Sequence, residues 1–299
     1  MYKSTITILA LLLISVCSGQ SISIGNEDMP VPSKDFELRK YDRNIKFSIP
    51  ENKTWNYSML GEGELIGPGY AKETDPYFVN ANLPLCKKSS NQFVKGWWYD
   101  YSSKIAFPGD GIYEAGYQIP AQSFPLTKFT GKATDLLNIP EQKYILDAPK
   151  KIIEFPVTET SSWTSESRRV TNFNLTVEAF GLINVPAQQV WTVYREDKII
   201  SQGKARLYNP KGMSRFYDVL VDQISEYAID SFYLAGSPAP AALLNAFGAT
   251  QGQKVTIDNR INFYRKGSFS YLFSIYYGAN GFDGESISLS GDSDVELPE

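Results

Sequence analysis

An all-β architecture, an antiparallel β-sandwich formed as one large unit or as two smaller sandwich-like units with little helix, is what the local patterning of this chain implies. Short runs of two-residue hydrophobic alternation recur along it, turn residues separate the runs, and helical periodicity is almost absent. Composition agrees: 14% of the residues are aromatic against four methionines, a bias toward side chains that suit a pleated surface.

The first element is not part of that fold. Met1-Tyr2-Lys3-Ser4-Thr5 leads into an apolar run over 6–16, broken by Thr7 and Ser15, and then into Cys17-Ser18-Gly19-Gln20. A short basic start, an apolar stretch too short to span a bilayer and small residues after it make 1–19 a cleaved export signal, with Gln20 as the mature N-terminus. The alternative is a lipoprotein anchored through Cys17, although Val16 stands where such a box carries Gly, Ala or Ser. No later stretch has the roughly 18 apolar residues of a spanning helix; the nearest, 233–247, is broken by Gly, Ser and Pro.

Strands follow. Short ones are expected at 45–49, 93–101, 112–119, 152–157, 205–208 and 216–221. The alternating run 171–179 stops at Gly181 and is answered after Pro186 by 190–194, an expected antiparallel pair. The strongest pair is 255–264 with 269–277, joined by a turn at 265–268. In the first of these, apolar side chains occupy every second position except Asn259, as in a strand with one buried face and one wet face. Helix is expected at 240–247, between a proline and Gly248, with a possible helical turn at 134–138. Residues 278–299, rich in Gly, Ser and acids, read as a loose tail. A division near Pro149 separates an N-terminal β-rich part, 20–149, from a C-terminal one, 150–299, unless 20–299 is one continuous domain.

The chemistry is bounded first by an absence. None of the 299 residues is histidine, which excludes Ser-His-Asp and Cys-His catalysis and His-ligated metals. Cys86 is the single cysteine after residue 19, so thiolate zinc sites and iron–sulfur clusters are excluded too, and a structural thiol is the expected role. A net charge of −4, a pI near 5.2 and the lack of a basic tract argue against nucleic-acid partners. No Gly-rich phosphate loop is present, and no cofactor is implied.

Carboxylates remain, as in glycosidases, with Asp100, Asp110, Glu114, Glu154, Glu166, Glu178, Asp218, Asp222, Glu226 and Asp258 as candidates and no means of pairing them from one sequence. The oxygen-rich segments 280–285 and 291–294 lack EF-hand spacing and read as solvated acidic turns rather than calcium loops. Sites of the Asn-x-Ser/Thr type at Asn52, Asn56 and Asn174 read as chance. For a ligand, the candidates are Trp97, Trp98, Tyr99 and Tyr101 in Lys95-Gly96-Trp97-Trp98-Tyr99-Asp100-Tyr101. On a strand Trp97, Tyr99 and Tyr101 share one face and Trp98 takes the other with Asp100, so at least one set fills the core while the other can offer a flat platform to sugar rings.

Ser21-Ile22-Ser23-Ile24-Gly25-Asn26-Glu27-Asp28-Met29-Pro30, followed by Asn52-Lys53-Thr54-Trp55-Asn56-Tyr57-Ser58, resembles the start of secreted Bacteroidetes proteins of unassigned function. Ile153-Glu154-Phe155-Pro156-Val157 with Ser162-Trp163, the stretch from Val177 through Gly181 to Pro186, and Phe273-Ser274-Ile275-Tyr276-Tyr277-Gly278 are similar to later segments of the same proteins, in the same order. Ala179 stands where they have a first glycine, and the C-terminal type IX sorting domain that many of them carry has no counterpart in these residues. The resemblance implies an exported bacterial β-domain and supplies no catalytic residue. The expected function is therefore a non-catalytic exported module that binds a polysaccharide or an envelope protein. The alternatives are a carboxylate-dependent glycoside hydrolase or lyase, or a structural envelope component.

Overall fold

Alternating strands bury one face only if something covers it, and this chain supplies two sheets and an N-terminal cover. The computed structural model describes residues 21–29, 37–41, 45–61, 63–94, 97–208, 215–278 and 281–291; the expected export signal, Cys17 included, lies outside them. In chain order the strands are β1 (Glu37–Tyr41), β2 (Thr54–Tyr57), β3 (Glu64–Pro68), β4 (Ala71–Lys72), β5 (Leu85–Val94), β6 (Trp97–Ala106), β7 (Gly111–Ile119), β8 (Gln122–Pro125), β9 (Leu136–Ile139), β10 (Gln142–Glu154), β11 (Ser162–Val177), β12 (Leu182–Leu207), β13 (Tyr217–Leu234), β14 (Ser237–Pro238), β15 (Gln253–Tyr264), β16 (Phe273–Gly278) and β17 (Gly281–Gly291). Short helices α1 (Pro76–Val79), α2 (Thr127–Thr130) and α3 (Ala241–Ala246) interrupt them.

The larger sheet runs β3-β1-β17-β16-β15-β13-β12-β11-β9-β8, with β14 beside β13 and β2 beside the end of β12. The smaller runs β10-β7-β6-β5-β4. Among the described residues every strand pair is antiparallel except β2 with β12. That exception depends on Gly203, where any Cβ would overlap the Lys53 carbonyl oxygen that accepts from the Lys204 amide at 2.9 Å.

N-terminal to Asn174 the edge of β11 does not pair with β9, and side chains from the smaller sheet take over. The Tyr117 hydroxyl donates to the Val170 carbonyl and accepts from the Val170 amide, both at 2.8 Å. Two residues on, the Gln142 amide accepts from Asn172 N and donates to Asn172 O, again at 2.8 Å. These bonds satisfy backbone groups that a free edge would leave to water, and they lock one sheet to the other.

The space between the sheets is divided along the strands. At one end Phe93, Tyr99, Tyr117 and Ile119 meet Phe173, Leu175 and Phe232, closed by Leu243, Leu244 and Phe247 of the α3 region. At the other, Leu85, Ile105, Ile112 and Ile153 meet Trp163, Ile199, Leu220 and Tyr264. The far face of the larger sheet is covered by residues 45–60: Trp55 and Ile45 bury with Val219, Val221, Ile261, Phe263 and Phe273. Trp55 meets Phe263 edge-on at 5.3 Å between ring centroids, and its indole donates to Ser48 O at 2.9 Å.

The all-β expectation holds; β15 and β16 pair as expected, while the other expected partners lie on the adjacent strands β11 and β12 in a different register, 190–194 with 166–170 and 171–177 with 182–189. Several details differ. The run 93–101 belongs to two strands of a hairpin, with 95–96 outside the described residues, and 45–49 is extended cover without ladder pairing. The connection between β15 and β16 spans 265–272 rather than four residues, because Phe269 and Tyr271 turn into the inter-sheet core. The helical turn expected at 134–138 is the start of β9, which pairs with β8 and β11. Much of the expected tail is β17, held between β16 and β1; residues 292–299 lie outside the described set. Pro149 lies inside β10.

The wet face expected for 255–264 also needs correction. Asp258, Arg260, Asn262 and Tyr264 face the space between the sheets, with Asn262 1% and Tyr264 4% exposed. Asp258 and Arg260 pair with each other there, and Asn262 Nδ2 donates to the Tyr264 hydroxyl at 3.2 Å.

Candidate ligand site between the sheets

Between the two apolar ends lies an ionic layer. Register creates it: Arg195 of β12 stands opposite Glu226 of β13, and Glu226 stands opposite Asp258 of β15. Arg260 comes two residues after Asp258 on the same strand face, opposite Tyr276 of β16. The smaller sheet adds Glu114 from β7 and Lys150 from β10, and β11 adds Arg169.

Lys150 Nζ lies 2.9 Å from Glu114 Oε2 and 3.3 Å from Glu226 Oε2, so one ammonium ties a carboxylate from each sheet. Arg195 approaches Glu226 at 3.6 Å and holds Asp197 through two bonds of 2.8 and 2.7 Å. Arg260 pairs with Asp258, and Ser103 Oγ donates to Glu114 Oε1 at 3.1 Å. Burial on its own would raise the Glu226 carboxyl. Lys150, Arg195 and Arg169 outweigh it and hold that carboxyl at about 2. Glu114 is held low in the same way, burial being overcome by Lys150 and Arg169. Asp222 takes the opposite course: burial, with Asp197 beside it, pushes it well above the usual carboxylate range.

A cavity of about 410 Å³ opens among these groups. Its wall carries Lys87, Lys150, Arg169, Arg195 and Arg260 against Glu114, Glu226 and Asp258, and its rim reaches solvent at Ser90, Trp98 and Ile257. The volume is that of a small-molecule site rather than of a packing defect.

The four aromatic residues nominated from the sequence separate here. Tyr99 is 3% exposed; its hydroxyl lies 2.8 Å from Thr171 Oγ1 and accepts from Asn91 Nδ2 at 3.2 Å, which makes it part of the core. Trp97 packs on Phe129 and Phe124, with centroids 4.8 and 6.0 Å away. Trp98, 56% exposed, and the half-buried Tyr101 line the cavity, Tyr101 with its ring 5.4 Å from the Arg169 guanidinium carbon.

Of the ten candidate acids, Glu114, Asp222, Glu226 and Asp258 turn inward. Asp100, Asp110, Glu154, Glu166, Glu178 and Asp218 are exposed. Cys86 is half-buried, and burial pushes its thiol up, away from nucleophilic character. Among the described residues no His, Cys, Asp and Glu side chains group as a metal site, and no helix is long and apolar enough to cross a membrane. Lys87, Lys150, Arg169, Arg195 and Arg260 are not among the residues nominated from the sequence. A local signal existed for two of them, since Arg195-x-Asp197 and Asp258-x-Arg260 put opposite charges on one strand face. Comparison with family models, curated proteins and solved structures finds no match for this chain.

Proposed function

We propose that this chain is an exported, non-catalytic β-sandwich module that binds a polysaccharide segment in the cavity between its sheets. The cavity carries the proposal: it is concave, walled by charged and hydrogen-bonding groups, and lined in addition by the aromatic rings of Trp98 and Tyr101. A sugar ring has an apolar C–H face for an aromatic platform and a hydroxyl edge for a polar wall. Export is supported by the character of residues 1–19 and by the resemblance of the following segments to secreted Bacteroidetes proteins.

A glycoside hydrolase would need one carboxylic acid that keeps its proton beside one that does not. Glu114 and Glu226, one from each sheet, are joined by the Lys150 ammonium, which keeps both ionised and leaves neither with a proton to donate. A protein partner or a structural envelope role calls for a broad apolar patch or a long free edge, and a recessed ionic cavity suits neither.

Glycan-array binding by the wild type and by the Trp98→Ala and Tyr101→Ala variants tests the proposal. The expected result is retention of selected glycans by the wild type and a loss of roughly tenfold or more in each variant, with unfolding midpoints unchanged for Trp98→Ala. Unchanged retention in both variants removes this cavity as the site.

A further inference from the structure

Four polar atoms of the cavity wall are left without a protein partner among the described residues. Among the described residues Arg169 Nε and Arg260 Nε have no acceptor, although both are shielded from water and Arg169 is only 6% exposed. On the same wall Asp258 Oδ1 and Asn262 Oδ1 have no donor among the described residues. Buried polar groups are costly unless paired, so four such atoms around one cavity mark the contact points of a guest. The guest must bring acceptors to two guanidinium groups and hydroxyl or amine hydrogens to two oxygens.

Charge narrows the choice. Five cations face three carboxylates across the cavity, and Asp197, bonded to Arg195, reduces the excess to one positive charge. An uncompensated buried cation is unfavourable, and a single carboxylate would cancel it. Guanidinium groups are suited to that role, because their N–H fork matches the two oxygens of a carboxylate.

Resting on the proposed polysaccharide site, we propose that the occupant is a uronate unit. Arg169 and Arg260 receive its carboxylate, and Asp258 and Asn262 accept bonds from its hydroxyls. A neutral sugar leaves the two arginines unmatched, and a bare anion leaves Asp258 and Asn262 unmatched. The same chemistry is offered by a free sugar acid and by a unit of an acidic polymer.

Calorimetric titration of the whole mature chain with galacturonate, trigalacturonate, galactose, galactotriose and acetate tests this. The expected order places the uronates roughly tenfold or more ahead of the matching neutral sugars and of acetate, with uronate affinity falling as salt is raised. Trigalacturonate binding more tightly than galacturonate assigns the site to a polymer; equal affinities assign it to a free sugar acid. Neutral sugars binding as well as uronates would overturn the acidic ligand while leaving the glycan site standing. Acetate binding as well as galacturonate would overturn the sugar. Failure of every sugar, neutral and acidic, would overturn the site itself. These comparisons need no variant. Arg169→Lys, which keeps the charge and removes the guanidinium fork, adds a further check: uronate affinity falls roughly tenfold, and an unchanged uronate affinity contradicts the assignment.

Discussion

Replacing Glu226 by glutamine removes the carboxylate that Lys150, Arg195 and, at longer range, Arg169 and Arg260 all face. Those cations hold the folded carboxyl at about 2 instead of its ordinary 4.5. At about 1.4 kcal/mol per pKa unit, that difference is worth about 3 kcal/mol of folding stability. The sign follows from linkage. A carboxyl with a depressed folded pKa contributes its full stability above the unfolded value and loses it as pH falls from about 4.5 toward about 2. Glu226→Gln should therefore lower the unfolding free energy near neutral pH by about 3 kcal/mol, in the range found when one partner of a buried ion pair is removed. It should also remove a similar amount from the acid dependence. Urea unfolding of both proteins across that interval, followed by tryptophan fluorescence, measures the two quantities. Parallel pH profiles for wild type and variant would refute the claim that Glu226 is an ionised anchor of the interior.

Asp230 shifts the other way, with burial pushing its carboxyl up to about 7 against the weaker opposition of Gln189 and the Ser231 amide. Its folded form holds the proton more tightly, so it costs stability as pH rises from about 4 to about 7. Asp230→Asn should stabilise the fold near pH 8 by up to about 4 kcal/mol and do little near pH 4, as read from urea midpoints. Its new amide can also serve Gln189 Oε1, which has no donor among the described residues. Tyr117→Phe strips the hydroxyl from both backbone groups of Val170. About 2 kcal/mol of stability and the exchange protection of the Val170 amide should go with it, and a slow-exchanging Val170 in the variant would count against the side-chain bridge. Gly203→Ala drives a methyl into the Lys53 carbonyl and should dislodge β2, at a cost of several kcal/mol and with a red shift of Trp55 emission. Wild-type stability and emission in that variant would refute the proposed role of the glycine.

The sheet content was legible because alternation is local. Val177, Leu175 and Phe173 report their shared face without help from the rest of the chain, and Gly181 marks where β11 turns into β12. Long strands hid their own ends, since Pro186 sits within β12 opposite Asn174 and the expected break there does not occur. The site was less legible for a different reason. Polar positions in alternating strands default to solvent, and Arg260 and Asn262 are assigned there because the smaller sheet that covers their face is built from distant residues. Glu226 and Lys150 are 76 residues apart and Tyr99 and Thr171 are 72 apart, distances over which one sequence carries no pairing signal. The aromatic cluster was half informative: two-residue periodicity separates Trp98 from Trp97, Tyr99 and Tyr101. It does not tell a core hydroxyl such as that of Tyr99 from a cavity ring such as that of Tyr101.

Heteronuclear NMR of the arginine side chains addresses the cavity directly, because the Nε–H groups of Arg169 and Arg260 are shielded from water and exchange slowly enough to be seen. Adding galacturonate should shift those two resonances together, with a smaller change at the Trp98 indole. A titration in which the Trp98 signal moves and both arginine signals stay fixed would place the ligand on the outer surface and contradict a binding site between the sheets.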